Sequence, residues 1–192
     1  GFVVKKGDNR GGHWAYGIGH SNGYLNAKFQ TESCVGNCDQ SEFINSTTNA
    51  FISDGRWHHL GATYDASSGD FRLFFDGQSV DAQTQGSGLA YSNPAEPLSI
   101  GSSHHQSTFI GHAVAVMEDI QIYGLALSAS DMANLAQHIP ITTLPDAAFT
   151  TDFDSSLLVD DTGNGFNGTN AGVSVINTCS EEDLDGDGVP AW

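Results

Sequence analysis

The chain has 192 residues, enough for one large domain or two small ones. Six basic residues stand against 23 acidic ones, a net charge of −17, which disfavours nucleic acid and anionic membranes as partners. With 39% hydrophobic residues and no long acidic run the chain is not disordered in composition, and no apolar stretch reaches the length of a membrane helix.

Gly1 to Lys6 does not read as a signal peptide, so either a leader has been removed or the chain begins inside a longer one. Phe2 to Lys6 reads as a strand. His13–Gly19 and Tyr24–Thr31 read as a hairpin around Ser21-Asn22-Gly23. Residues 32–50 read as a polar loop, in which Cys34 and Cys38 are spaced to close a small disulfide ring. That pairing implies oxidising surroundings and leaves Cys179 without a partner in the chain.

Residues 54–80 carry the strongest pattern. Trp57–Tyr64 is rich in aromatic and small apolar residues, Asp65–Asp70 is turn chemistry, Phe71–Phe75 is apolar, and Asp76-Gly77 marks a tight turn. Three strands and two turns follow from this. Phe71, Leu73 and Phe75 share one face, and Trp57 is expected in the core with them. Phe74 breaks the alternation, so the opposite face is expected to be covered too. His58 and His59 on one strand point to opposite faces and cannot chelate one ion.

Thr84–Pro97 reads as a loop, Leu98–Gly101 as a strand and Ser102–Thr108 as a polar rim loop. Phe109–Met117 and Asp119–Tyr123 read as further strands. Ser128 followed three residues later by Asp131 is a capping box, opening a short helix with Met132, Leu135 and Ala136 on one face. Pro140 and Pro145 bracket a linker.

Taken as an ordered set, Trp57-His58-His59, Tyr64-Asp65, Arg72–Phe75, Asp76-Gly77, Pro97–Ser102, Met117–Tyr123 and Ala126-Leu127-Ser128 resemble the LamG-like domains, relatives of laminin G, pentraxin and concanavalin A-type lectins. The resemblance spans most of residues 1–139. It implies an all-β fold, an antiparallel jelly-roll β-sandwich with one short helix. Phe149–Asp154 and Val159–Thr169 resemble the opening of such a domain, yet stand behind the linker 140–145. Segment 146–178 is therefore the start of a next repeat, a strand returning to its own sandwich, or a strand given to a neighbouring copy. The last is slightly favoured, because the family's following strands are also missing.

The resemblance also implies a structural calcium, held by oxygens from the turn Asp160, Asp161, Asn164 and from Asp119 on the closing strand. The acidic end 179–192 resembles a thrombospondin type 3 calcium repeat. Asp183, Asp185 and Asp187 alternate before Gly188, putting hard oxygens around one centre.

Aromatics and amides suited to sugars occur at Trp14, Tyr16, Tyr24, Tyr91, Asn93, His104 and His105. None of the eight histidines has the spacing of a zinc site. Glu118 and Asp119 are adjacent rather than alternating, so the carboxylate pair of a glucanase is not formed. Asn45-Ser46-Thr47 and Asn167-Gly168-Thr169 fit the N-glycosylation pattern. The sequence thus points to a non-catalytic extracellular or cell-surface binding and adhesion module, calcium-stabilised, recognising a glycan or matrix ligand. Its alternatives are a filament subunit joined to copies of itself by strand exchange, and an accessory domain of a secreted polysaccharide hydrolase.

Overall fold

The computed structural model describes residues 1–7, 14–30, 43–84, 97–105, 108–139, 141, 149–151 and 159–169. The chain divides into two units, Gly1–Ala115 with Leu125–Thr143, and Val116–Gly124 with Leu144–Trp192.

The first unit is an antiparallel jelly-roll β-sandwich with one short helix among the described residues. Its larger sheet is built from Phe2–Gly7 (β1), Trp14–Ser21 (β2), Tyr24–Gln30 (β3), Phe43–Phe51 (β4) and Leu98–Ile100 (β8), in the order β4-β3-β2-β1-β8. The smaller sheet is Leu60–Asp65 (β5), Asp70–Phe75 (β6) and Gln78–Thr84 (β7), in sequence order. Leu25, Ala27 and Phe29 alternate along β3 and meet Phe71 and Leu73 of β6 to form the core. The Phe29 ring centroid lies 3.9 Å from that of Tyr64 and 6.3 Å from that of Phe71. Burying each such large side chain contributes about 1.5–3 kcal/mol.

Phe74 is buried on the other side of the smaller sheet. It pairs with Gly61, and Met132 of the helix Ala129–Leu135 (α1) lies against Gly61. The expected cover over Phe74 is therefore this helix. Ser128 caps it as the sequence predicts: its hydroxyl accepts from the Asp131 N–H, and the Asp131 carboxylate accepts from the Ser128 N–H.

Five expectations need correction. Trp57 is not core: it is 44% exposed, and strand pairing begins only at Leu60. His58 and His59 consequently precede β5 rather than lying on it. Residues 43–50, expected in a polar loop, belong to the strand Phe43–Phe51, which pairs with β3. Ser103–His105 (β9), expected in a rim loop, pairs with Thr108–Ile110 (β10). The strand expected over Phe109–Met117 stops at Ile110, and Val114 and Val116 beyond it are exposed.

One buried charge shapes the N-terminal strand. Lys5 is fully buried; its ammonium donates to Ser103 Oγ at 2.7 Å and lies 5.4 Å from the Phe2 ring centroid. Such partners offset the cost of taking the charge out of water. Gly17 makes this possible, because a Cβ there would press on the Phe2 ring at 3.0 Å.

In the second unit Ile120–Ile122 (β11) pairs antiparallel with Phe149–Thr151 (β12), Ile120 opposite Thr151 and Ile122 opposite Phe149. Phe149–Thr151, from segment 146–178, is thus the strand that lies beside β11.

Candidate functional site

The β2–β3 turn supplies the best-defined exposed aromatic pair. Asn22 (φ 53°) and Gly23 (φ 84°) form a two-residue turn with both residues left-handed, the kind whose twist suits a hairpin. Tyr24 follows at once and pairs with Phe51 at the end of β4. Their ring centroids are 5.2 Å apart at 63°, an edge-to-face contact. Tyr24 is 41% exposed and Phe51 45% exposed. Gly23 is needed twice over: a side chain there would be strained, and its Cβ would sit 2.6 Å from Phe51 Cε2. The Ile52 N–H donates to the Gly23 carbonyl at 2.8 Å, fixing the end of β4 against the turn.

From Phe51 the chain runs through a loop carrying Trp57 into β5. His58 closes that loop. Its Nδ1 lies 2.9 Å from Asp76 Oδ2 and its Nε2 3.0 Å from Asp54 Oδ1. The His59 N–H donates to Asp76 Oδ1, and the Arg56 N–H donates to Asp54 Oδ1. The Phe75 ring stacks on the imidazole at 4.6 Å between centroids. Desolvation acts to lower the His58 pKa, but bonds to Asp76 and Asp54 and their negative charge together outweigh it and leave it raised. Asp54 is held below the usual carboxylate range, first by the Arg56 N–H and then by His58.

The other expected ligand-binding residues are dispersed. Tyr16 is half-buried and packs against the core, where burial raises its phenol pKa. Trp14 opens β2 opposite Gly7. His104 and His105 lie in β9, opposite Phe109 and Thr108. Tyr91, Asn93, Cys34, Cys38, Asp183, Asp185 and Asp187 lie outside the described residues. Phe51 was not foreseen. The signal for it was the Ile and Thr content of residues 44–48, which favours a strand despite their polarity.

The expected calcium residues fall in the second unit. Asp160 is buried and organises its own turn. Its Oδ1 accepts from the Thr162 N–H and hydroxyl, its Oδ2 accepts from the Phe166 N–H, and its own N–H donates to Asn167 Oδ1. Asp119, at φ 48°, accepts from Gln121 Nε2 at 2.8 Å, and Gln121 Oε1 accepts from the Tyr123 hydroxyl at 2.6 Å. The donors are oxygens, the kind calcium takes. Asp160 already spends both oxygens on its loop, however, and among the described residues no three His, Cys, Asp or Glu side chains gather to hold a metal.

A laminin G-type family model, described as the concanavalin A-like lectin/glucanases superfamily, matches residues 2–133. The chain belongs to that superfamily. In structure it is similar to a native heptameric SAP-like pentraxin from Limulus polyphemus, with a TM-score of 0.50 and 16% identity over 71% of this chain and 62% of that one. The chain thus spans less than two thirds of the pentraxin's length, and the likeness shows the fold. A second similar structure is an S-layer domain-containing protein from Clostridium thermocellum, with a TM-score of 0.38 and 18% identity over 63% of this chain and 55% of that one. Comparison with curated proteins gives no significant match.

Proposed function

We propose that this protein is a non-catalytic, extracellular binding and adhesion module that recognises glycans and is stabilised by calcium. The observation that carries the reading is the Tyr24–Phe51 pair, two half-exposed rings braced edge to face on a rigid turn. Sugars present apolar C–H faces that stack on such rings, while hydroxyls bond to neighbouring polar groups. Rigid aromatics supply this contact at little entropic cost. Calcium enters on donor chemistry: oxygen ligands at Asp119, Asp161 and Asn164, and the alternating Asp183, Asp185 and Asp187. Absence of catalysis is supported by Glu118 and Asp119 being adjacent and lying before β11 rather than alternating along it.

A glycan array on the whole chain, followed by calorimetry on its best ligand, tests the proposal. Tyr24→Ala and Phe51→Ala should each weaken binding by about tenfold or more. Binding that neither substitution changes would move the site elsewhere, and an array without hits would remove the glycan reading. A second reading is a filament subunit, in which the pairing that β12 makes with β11 would be made with a neighbouring copy and so join chains. Size-exclusion chromatography over a concentration series separates the two.

A further inference from the structure

Both ring nitrogens of His58 face carboxylate oxygens, at 2.9 and 3.0 Å. A neutral imidazole has one N–H and one lone pair, so it can satisfy only one of them and would turn its lone pair on the other. Only imidazolium donates to both. The two carboxylates come from different segments: Asp54 from the loop after β4, Asp76 from the turn between β6 and β7. The His58 side chain is only 12% exposed.

We propose that His58 is a proton-operated clasp, which ties the loop carrying Trp57 to the β6–β7 turn when protonated and releases it when neutral. Every element against the ring agrees with this. The loop presents Asp54, with Arg56 beside it bonded through its N–H; the turn presents Asp76; β6 presents the uncharged Phe75 ring. Asp54 and Asp76 are the charges that act on the ring, and α1, packed behind Gly77, adds none. The raised His58 pKa has the same direction. Its sign is that of a group stabilising the fold while protonated: the contribution is complete below the unfolded pKa of about 6.5 and is lost as pH rises through the folded value. The consequence is a loop held while the ring is protonated and loosened as pH rises through its folded pKa, independent of any bound ligand.

The test is made on the whole ligand-free chain, so it stands or falls apart from the glycan reading. The His58 ring is followed by NMR from pH 4.5 to 9. Its midpoint should lie above about 6.5, and Asp54→Asn and Asp76→Asn should each lower it. Asparagine keeps an oxygen for the Arg56 or His59 N–H and tolerates the left-handed backbone at position 76 (φ 48°), so these variants remove charge rather than structure. Exchange of the Arg56 and His59 amides should speed up above the midpoint beyond the ordinary base-catalysed rise. The melting-temperature gap between the native chain and His58→Phe, which preserves the stack on Phe75, should be wider at pH 5 than at pH 8. A midpoint at or below that of a free histidine, a midpoint that neither Asn variant moves, or a gap equal at both pH values would overturn the clasp. If His58→Phe does not fold, the ring titrations alone decide.

Discussion

The Met132 methyl rests directly on Gly61, so closely that a Cβ built at position 61 would overlap it. Helix α1 can lie on the outer face of the smaller sheet because β5 has no side chain at that point. Met132→Ala should cost about 2–5 kcal/mol through the cavity it leaves. Gly61→Ala should cost about 1 kcal/mol, near the low end for overpacking, because the Met side chain is flexible. Combined, the two changes should cost less than their sum, since the new methyl fills part of the cavity. Urea denaturation of the four chains measures this, and strict additivity would place the helix elsewhere.

Phe71 and Trp57 should differ sharply. Phe71 is 1% exposed in the core, and Phe71→Ala should cost about 3–5 kcal/mol. Trp57 is about half exposed, and Trp57→Ala should cost about 1 kcal/mol or less. Equal losses in thermal melts would return Trp57 to the interior.

The turn between β5 and β6 predicts an acid-range titration. Asp65 is held down to about 2, first by the Ser67 hydroxyl, then by the Ser67 N–H and the Ser68 hydroxyl. A depressed carboxylate contributes stability above its unfolded pKa and loses it as pH falls through the folded one. The destabilisation caused by Asp65→Ala should therefore shrink between pH 5 and pH 2. A constant difference between the two melting curves over that range would show that the serine bonds do not form in solution.

How much of this was legible in the sequence depends on where each element gets its reason. The strands β5, β6 and β7 announce themselves, because Gly69 (φ 73°) and Gly77 (φ 74°) mark turns that need glycine or its equivalent. Strand β4 does not: Asn45, Ser46 and Asn49 read as loop and mask the strand signal of Ile44, Thr47 and Thr48, and pairing with β3 overrides them. Trp57 looked like core by its aromatic company, but Asp54-Gly55-Arg56 immediately before it keeps the chain in a loop. Tyr24 was visible as a candidate; its partner Phe51 depends on the β3–β4 register, which no local pattern states. The His58–Asp76 contact joins residues 18 positions apart and depends equally on tertiary structure.

On the proposed calcium reading, chelation should lower the melting temperature, because an ion held only by the folded chain adds stability that grows with the logarithm of its concentration over Kd. Asp119→Ala should reduce that effect in the second unit and Asp187→Ala in the acidic tail. A melt unchanged by chelator would remove the metal from the proposal.

Ending the chain after Pro145 deletes β12 and deprives β11 of its partner. An unpaired strand edge invites association, so the shortened chain should aggregate or melt without cooperativity. A soluble, monomeric, cooperatively melting product would show that β12 is dispensable.

Asn167 braces the 160–167 turn through its side-chain oxygen, which accepts the Asp160 N–H at 3.0 Å. In Asn-Gly-Thr an oligosaccharide is attached to the other atom of that amide, the nitrogen. Attachment leaves the carbonyl oxygen in place and able to accept the same bond. In a secreting cell that modifies this sequon, the turn could carry a sugar tree and remain folded. Asn167→Asp, which also preserves an oxygen, would block attachment without removing the brace, making it the substitution of choice for a homogeneous preparation.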